Sequence, residues 1–296
     1  MHQILLKLML ICTLISYCYG CLENFTTTSF DEGLKKLYGE ENIVIEDDGN
    51  TVYLSIVNNT GGSGFISQNV YQSGLFSASI KLPSPNYTAG VVVAFYLSNN
   101  DKYEGHHDEI DFEFLGHANG QDWVLQTNIY GNGSTSRGRE ERYTLWFDPS
   151  EKAHKYSIFW GENRVIFYVD DVPIRENYKV NGLGGDYPSK PMSLIATIWD
   201  GSGWATNGGR FKINHEFDPF VARFSDLLIR GCASDPNQKV SNCDDVNVCG
   251  NITLQNLREY EEFRRQHLTY SYCHDKNRYN PPLPDCLVGP TGGRPS

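Results

Sequence analysis

One strand-like segment carries acidic residues at a spacing suited to catalysis. In GHHDEIDFEFLGH, residues 105–117, Glu109, Asp111 and Glu113 alternate with apolar Ile and Phe residues. Alternate residues of a strand face the same side, so this pattern places all three carboxyl groups on one face. A solvated edge strand produces the same alternation. Three like charges without an interleaved basic residue repel one another, however, and we therefore predict a functional carboxyl cluster.

Two carboxyl groups on one face suit glycoside hydrolysis. They must lie about 5–5.5 Å apart for a retaining mechanism and about 6.5–9.5 Å apart for an inverting one. Glu109 and Glu113 are four residues apart in the sequence, so their Cα atoms lie about 13 Å apart on a flat strand. Twist and side-chain direction must then bring the two heads together over Asp111, and the arithmetic alone leaves both mechanisms open. Three neighbouring carboxyl groups also do not all ionise cheaply, so at least one should keep a proton near neutral pH.

The elements around this segment are predicted to be β-strands. Between residues 50 and 231, short alternating or β-rich runs, such as GFISQ, GLFSASIKL and REERYTLWF, are separated by turn residues. No helical run of useful length separates these strands, so the pattern favours an all-β fold made of two antiparallel sheets in a sandwich. Residues 254–267 carry Leu, Tyr and Phe at helical spacing, which predicts an amphipathic helix.

Charge and the first residues limit the partners and the compartment. The formal net charge of −11 disfavours nucleic acid and anionic lipid. Residues 1–20 have a weakly basic start, an apolar run and small residues before a cut, which predicts a secretory signal peptide. The apolar run falls short of the roughly 20 residues that a membrane span needs. We therefore expect a secreted protein with neither nucleic acid nor membrane as a partner.

The cysteines indicate a stapled C-terminal region. Cleavage after Gly20 leaves six cysteines, of which five lie in the last 65 residues. In a secreted chain this predicts a catalytic domain over residues 21–231 and a disulfide-stapled extension over residues 232–296. Six cysteines allow 15 pairings, and we expect small loops to close in sequence order. The predicted disulfide cysteines are Cys232, Cys243, Cys273 and Cys286, while the partners of Cys21 and Cys249 stay open. No C-x-x-C pair or other metal signature is present, so we expect no metal and no cofactor.

Five N-x-[ST] sequons suit a glycosylated secreted protein. They place candidate glycans on surface loops at Asn24, Asn58, Asn86, Asn132 and Asn251.

The segment HDEIDFEFLG resembles the active-site signature of glycoside hydrolase family 16, in its plant xyloglucan endotransglucosylase/hydrolase branch. The segments LQTNIYGNGSTSRGREERYTLWFDPS, YPSKPMSLIATIWDGSGWAT and YSYCHDKNRY extend the resemblance over roughly residues 30–287. The resemblance implies a jelly-roll sandwich in which Glu109 is the nucleophile, Asp111 its helper and Glu113 the general acid/base. The substrate-binding positions that it implies are Gln126, Thr127, Asn128, Arg139, Glu140, Trp204, Gly208 and Arg278. Trp199 and Tyr130 could add flat faces for sugar rings.

The resemblance implies a monomeric enzyme of the plant cell wall, or apoplast, that transfers xyloglucan chains between a donor and an acceptor. The chain shows no obvious extra loop between VDDVPIRE and PMSLIATIW of the kind that dedicated hydrolases of the family carry, which favours transfer over hydrolysis. A xyloglucan endohydrolase is the alternative. A non-catalytic glucan-binding wall protein is disfavoured because both glutamates are present. A β-1,3- or mixed-linkage glucanase is disfavoured because the motif has no residue inserted before its last glutamate, as bacterial laminarinase-like relatives have.

Overall fold

The computed structural model describes residues 26–57, 61–84, 86–180, 186–234 and 254–288. The regular secondary structure of these ranges is mostly β-strand, with two α-helices and a few short 3₁₀ turns. The helices are α1 (Phe30–Gly33) and α2 (Leu254–His267). The strands are β1 (Leu34–Tyr38), β2 (Ile43–Ile45), β3 (Thr51–Ile56), β4 (Gly62–Lys81), β5 (Val91–Ser98), β6 (Glu109–Leu115), β7 (Val124–Tyr130), β8 (Glu141–Tyr143), β9 (His154–Trp160), β10 (Arg164–Val169), β11 (Val172–Tyr178), β12 (Met192–Asp200), β13 (Phe220–Ala233) and β14 (Leu268–Ser271).

All the described strand pairs are antiparallel, and they form two layers that share β4. One layer has the order β1, β4, β12, β5, β6, β7, β8, β14, in which β4 contributes its first half. The second half of β4 pairs with β9 and β13, and the other layer continues to β10 and β11 on one side and to β3 and β2 on the other. The predicted all-β antiparallel sandwich is confirmed, with β6 in the middle of the first layer.

The core lies between the layers and contains the apolar residues that alternate with the acids of β6. Phe112 makes edge-to-face ring contacts with Phe167 of β10 at 5.0 Å and with Tyr156 of β9 at 5.7 Å. Ile110 and Phe114 are likewise fully buried. Because successive side chains of a strand point to opposite faces, packing these three residues into the core forces the carboxyl groups onto the outer face of the layer.

Residues 254–288 pack against β8 at the edge of the first layer. Phe263 of α2 packs against Tyr143 of β8 with ring centroids 5.4 Å apart. Arg264 of α2 reaches the buried Glu141 of β8 with two hydrogen bonds, of 2.6 and 2.8 Å. Strand β14 then pairs with β8 and extends the β6 layer by one strand. The predicted extension thus continues the sheet, and the predicted boundary at residue 231 falls within β13.

The helix of residues 254–267 is confirmed with the predicted bounds. The segments GFISQ and GLFSASIKL, predicted as two strands, are both part of the single strand β4. The predicted strand REERYTLWF is reduced to the three residues of β8.

Two of the cysteines can be placed in a specific bond, because Cys273 and Cys286 are joined by a disulfide. Cys232 is also disulfide-bonded. Cys21, Cys243 and Cys249 lie outside the described residues, as do the predicted signal peptide and three of the five sequons, Asn24, Asn58 and Asn251. The other two sequon asparagines, Asn86 and Asn132, are exposed. Within the described ranges, neither helix is long and apolar enough to cross a membrane.

Candidate active site

The three acids lie on β6, between β5 and β7. Both pairings are continuous from Glu109 to Leu115 without a bulge. Glu109 and Glu113 are partly exposed, whereas the Asp111 between them is buried. The regular pairing therefore presents two accessible carboxyl groups with a buried third between them, on the face opposite the core.

Cross-strand pairing shows which neighbours share this face. Residues directly opposite each other on paired strands project to the same side. Glu109, Asp111 and Glu113 are opposite three residues of β7: Tyr130, Asn128 and Gln126. On β5 they are opposite Ser98, Tyr96 and Ala94. The predicted contacts Gln126 and Asn128, and the candidate ring Tyr130, therefore line the carboxyl face.

The carboxyl groups are difficult to ionise. Burial raises the pKa of Glu109 to about 7; a hydrogen bond from Ser98 partly offsets this, and repulsion from Glu113 adds a smaller increase. Burial and the negative charges of Glu113 and Glu109 hold the pKa of Asp111 well above its usual range. Burial also raises the pKa of Glu113. Asp111 Oδ1 is buried and has no hydrogen-bond partner among the described residues. Burial and mutual repulsion therefore favour at least one protonated carboxyl group in this cluster.

A side chain of β7 hydrogen-bonds Glu113, and a side chain of β8 hydrogen-bonds that β7 residue in turn. The Nε2 of Gln126 donates a hydrogen bond of 2.6 Å to Glu113 Oε2. The Oε1 of the same amide accepts a hydrogen bond of 2.8 Å from Nε of Arg142. The sequence predicts no role for Arg142, which follows Glu140 and Glu141 in the chain. Only the register of β7 and β8, which sets Gln126 opposite Arg142, identifies it.

Two residues just before β6 support Glu109 and its loop. The Nε2 of His107 lies 3.6 Å from Glu109 Oε2, and its ring contacts Tyr130 edge-on. Burial lowers the pKa of His107, which favours the neutral imidazole at neutral pH. Asp108 is fully buried and accepts hydrogen bonds from the backbone amides of Gly133, Ser189 and Lys190. It therefore ties the start of β6 to two neighbouring loops.

Two predicted sugar contacts lie away from the carboxyl face. Thr127 is opposite Phe112 on the core side of β7, is fully buried and accepts a hydrogen bond of 2.8 Å from Arg175. The Arg139 side chain is 0% exposed, and its Nε donates to Asp285 at 2.9 Å. Neither side chain has surface to offer a sugar. The prediction of direct contact is corrected for both, since strand alternation buries Thr127 and an ion pair buries Arg139.

Gln126 and Asn128 are also buried, at 4% and 5% exposed, but lie on the carboxyl face. The remaining predicted contacts are accessible. Glu140 and Arg278 are partly accessible and contact each other as a two-pronged ion pair, with Nη2 of Arg278 donating to Oε1 of Glu140 at 2.9 Å. Trp199 and Trp204 are partly exposed, with ring centroids 6.1 Å apart. Gly208 is exposed and has a φ of 67°, a backbone conformation that favours glycine.

Within the described ranges, no cluster of three or more His, Cys, Asp or Glu side chains is arranged to hold a metal ion.

Comparison with known proteins identifies the family. The chain matches the model of glycosyl hydrolases family 16 over residues 30–216 and that of the xyloglucan endo-transglycosylase C-terminus over residues 240–286. Two Arabidopsis thaliana proteins, named probable xyloglucan endotransglucosylase/hydrolase proteins 28 and 27, are 52% and 53% identical over 91% of this chain and 82% of their own length. The chain belongs to the xyloglucan endotransglucosylase/hydrolase branch of glycosyl hydrolase family 16. The resemblance of HDEIDFEFLG to the signature of that family is thereby confirmed.

Solved structures of other proteins share the fold of this family member. A Bacillus licheniformis β-glucanase, 23% identical, covers 70% of this chain and 94% of its own with a TM-score of 0.53. A structure titled Apo Crh5 transglycosylase, also 23% identical, covers 72% of this chain and 83% of its own with a TM-score of 0.55. Both likenesses cover less than three quarters of the chain.

Proposed function

We propose that this protein cuts the β-1,4-glucan backbone of xyloglucan and joins the new end to another xyloglucan chain by a retaining double displacement. The observation that carries the proposal is the face of β6, where two accessible glutamates flank a buried aspartate. Family membership and relatives named as xyloglucan endotransglucosylase/hydrolases support the substrate class.

Glu109 is the nucleophile in this mechanism. One of its carboxylate oxygens attacks C1 of a backbone glucose, and the bond from C1 to the leaving O4 breaks. The product is a glycosyl ester on Glu109. The ionised form is required for attack, and the pKa of about 7 places this ionisation near neutral pH. Buried Asp111 orients Glu109 and keeps the negative charge of the cluster low.

Glu113 moves the proton in both steps. It first gives a proton to the departing O4, and its raised pKa favours the protonated form needed at that moment. It then takes a proton from the 4-hydroxyl of an acceptor chain as that oxygen attacks C1 and Glu109 is released. Water in place of the acceptor would give hydrolysis. The outcome depends on how well the acceptor sites hold a sugar and exclude water.

Residues around the carboxyl cluster are candidates for the glucan contacts. Gln126 and Asn128, largely buried, lie on the face of the acids. The tilted and partly exposed pair Trp199 and Trp204 offers apolar surface for sugar rings. Glu140, Arg278 and Gly208 complete the set. We further propose that the protein acts as a monomer, without a cofactor and with neither nucleic acid nor membrane as partner. The predicted signal peptide and the sequons support secretion to the cell wall, or apoplast.

The test follows two products at once. Purified protein is incubated with high-mass xyloglucan and a labelled xyloglucan oligosaccharide, and polymer-bound label and new reducing ends are both measured. We expect label in the polymer without a matching rise in reducing ends. New reducing ends alone would identify an endohydrolase, and neither product would favour a glucan-binding protein.

The nucleophile assignment has its own control. Glu109→Ala and Glu113→Gln should each abolish label transfer while the circular dichroism spectrum stays that of the wild type. An active Glu109→Ala protein would refute the assignment of Glu109.

A further inference from the structure

A chain of side chains crosses three strands from Glu113 towards the C-terminal extension. Glu113 of β6, Gln126 of β7 and Arg142 of β8 lie directly opposite one another in the sheet. The hydrogen bond from Gln126 to Glu113 measures 2.6 Å, and that from Arg142 to Gln126 measures 2.8 Å. The first distance is short for an N–H···O bond, and the second lies within the range of a bond donated by a charged guanidinium.

The guanidinium of Arg142 and the carboxyl group of Glu113 together fix the orientation of the Gln126 amide between them. A guanidinium only donates hydrogen bonds, so it draws the amide oxygen of Gln126 towards Arg142. The NH₂ group of the amide then faces Glu113 and donates to Oε2. A flipped amide would place its NH₂ against the guanidinium and its oxygen against a carboxyl oxygen. Arg142 therefore excludes that orientation.

The donor on Oε2 distinguishes the two oxygens of Glu113. An oxygen that accepts from an N–H group is disfavoured as the protonated oxygen of a carboxylic acid, because an O–H and an N–H would then compete for one position. The acidic proton is left to Oε1. We propose that Arg142 is a positioning residue, which acts through Gln126 to make Oε1 of Glu113 the oxygen that gives and takes the proton.

The C-terminal extension holds Arg142 in turn. Its guanidinium carbon lies 5.6 Å from the ring centroid of Tyr270 on β14, a distance that suits a cation–π contact. Tyr270 is aligned with Arg142 in the pairing of β14 with β8, and its hydroxyl donates to Asp275 Oδ2 at 3.0 Å. The extension thereby reaches the proton donor through defined contacts, in addition to lengthening the sheet.

This inference rests on the proposed role of Glu113 and makes a directional statement about pH. The titratable groups that face Glu113 are Glu109 and Asp111 on β6, Tyr96 on β5, Tyr130 on β7 and Arg142 on β8. Burial raises the pKa of Glu113, while the Gln126 hydrogen bond and the Arg142 charge lower it. Loss of Arg142 should raise that pKa. The alkaline limb of activity should then move to higher pH, since Glu113 must be protonated to start the reaction.

The experiment measures label transfer to xyloglucan against pH for the wild type and for Arg142→Met. We expect Arg142→Met to lose about tenfold in kcat/KM at the wild-type optimum and to shift the alkaline limb upward. The matched control is Arg265→Met, which removes the same charge from a side chain that is 71% exposed on α2. The control should change neither quantity. A purely structural role of Arg142 would lower activity at every pH and leave the limb in place, and that result would overturn the inference.

A double-mutant cycle separates the relay from an independent contact of Arg142. In a Gln126→Leu background no amide remains to be oriented, so Arg142→Met should cost little further activity. An equal loss in both backgrounds would overturn the relay. The failure of the proposed function is distinguishable, because it would show as a wild-type protein without transfer or as an active Glu113→Gln protein.

Discussion

At the scale of single residues, ionisation of the carboxyl cluster on β6 lowers the stability of the folded protein. Glu109 is only 20% exposed and hydrogen-bonds Ser98, yet its pKa lies near 7 because burial disfavours the charge. A group with a raised pKa in the folded state adds stability below its unfolded pKa of about 4.5, and that stability is lost as the pH rises through 7.

A substitution measures this cost directly. Glu109→Gln removes the ionisation, so it should raise the free energy of unfolding near pH 8 by up to about 3 kcal/mol and change it little near pH 4. Calorimetry at the two pH values checks this. Glu262→Gln, on a side chain that is 68% exposed, is the control and should have no effect at either pH. Equal effects of Glu109→Gln at both pH values would contradict the burial argument.

At the scale of elements, an ion pair locks the loop before β8 to the C-terminal extension. The fully buried Arg139 contacts Asp285 at 2.9 Å and Asp186 at 3.4 Å. Asp285 also accepts hydrogen bonds from Tyr272 and Asn177. Removing one partner of a buried pair leaves an uncompensated charge, whose cost exceeds the value of the pair itself.

Arg139→Met should therefore destabilise the protein by about 3–5 kcal/mol. Arg137→Met also removes a contact to Asp186, but from a side chain that is 47% exposed, so it should cost less than about 1 kcal/mol. Chemical denaturation of the two variants checks the difference. An Arg139→Met protein with unchanged stability and a raised KM would instead support the sugar contact predicted from the sequence.

The elements also show how far the sequence could be interpreted. Alternation placed the three acids of β6 correctly, and helical spacing found α2, because both signals are local. The same alternation, applied to β7, would have placed Thr127 on the core side. Arg142 and β14 depend on which strands pair and in what register, and such long-range contacts leave no local pattern. The sequence predicts two strands in place of β4, because turn-like residues lie where this single strand passes from one layer to the other.

At the scale of the whole molecule, two groups of buried acids respond to pH in opposite directions. Burial raises the pKa of the acids on β6. For Glu141 and Asp285, burial alone would raise the pKa, but the guanidinium groups of Arg264 and Arg139 hold it below the usual range. Acids with a lowered pKa add stability above their unfolded pKa, which is lost as the pH falls through the folded pKa.

The two effects together predict a maximum of stability in mild acid. Stability should rise up to about pH 4.5 as the paired acids ionise, and fall above about pH 5 as ionisation of the cluster on β6 begins to cost free energy. Thermal melts across this range should give a maximum Tm near pH 5. A Tm that keeps rising to neutral pH would show that the cluster on β6 contributes little to this balance.

The long strand β4 has a consequence for how the chain matures. It pairs with β1 near residue 34, with β12 up to residue 199 and with β13 up to residue 233, so both layers depend on partners distant in the sequence. During synthesis, its pairings with β12 and β13 form only after more than a hundred further residues have emerged, since β4 ends at Lys81 and β12 begins at Met192. Antiparallel pairing over such separations is slow and exposes strand edges. We expect a nascent chain that stalls before β12 to present β4 as an open strand edge, which favours aggregation.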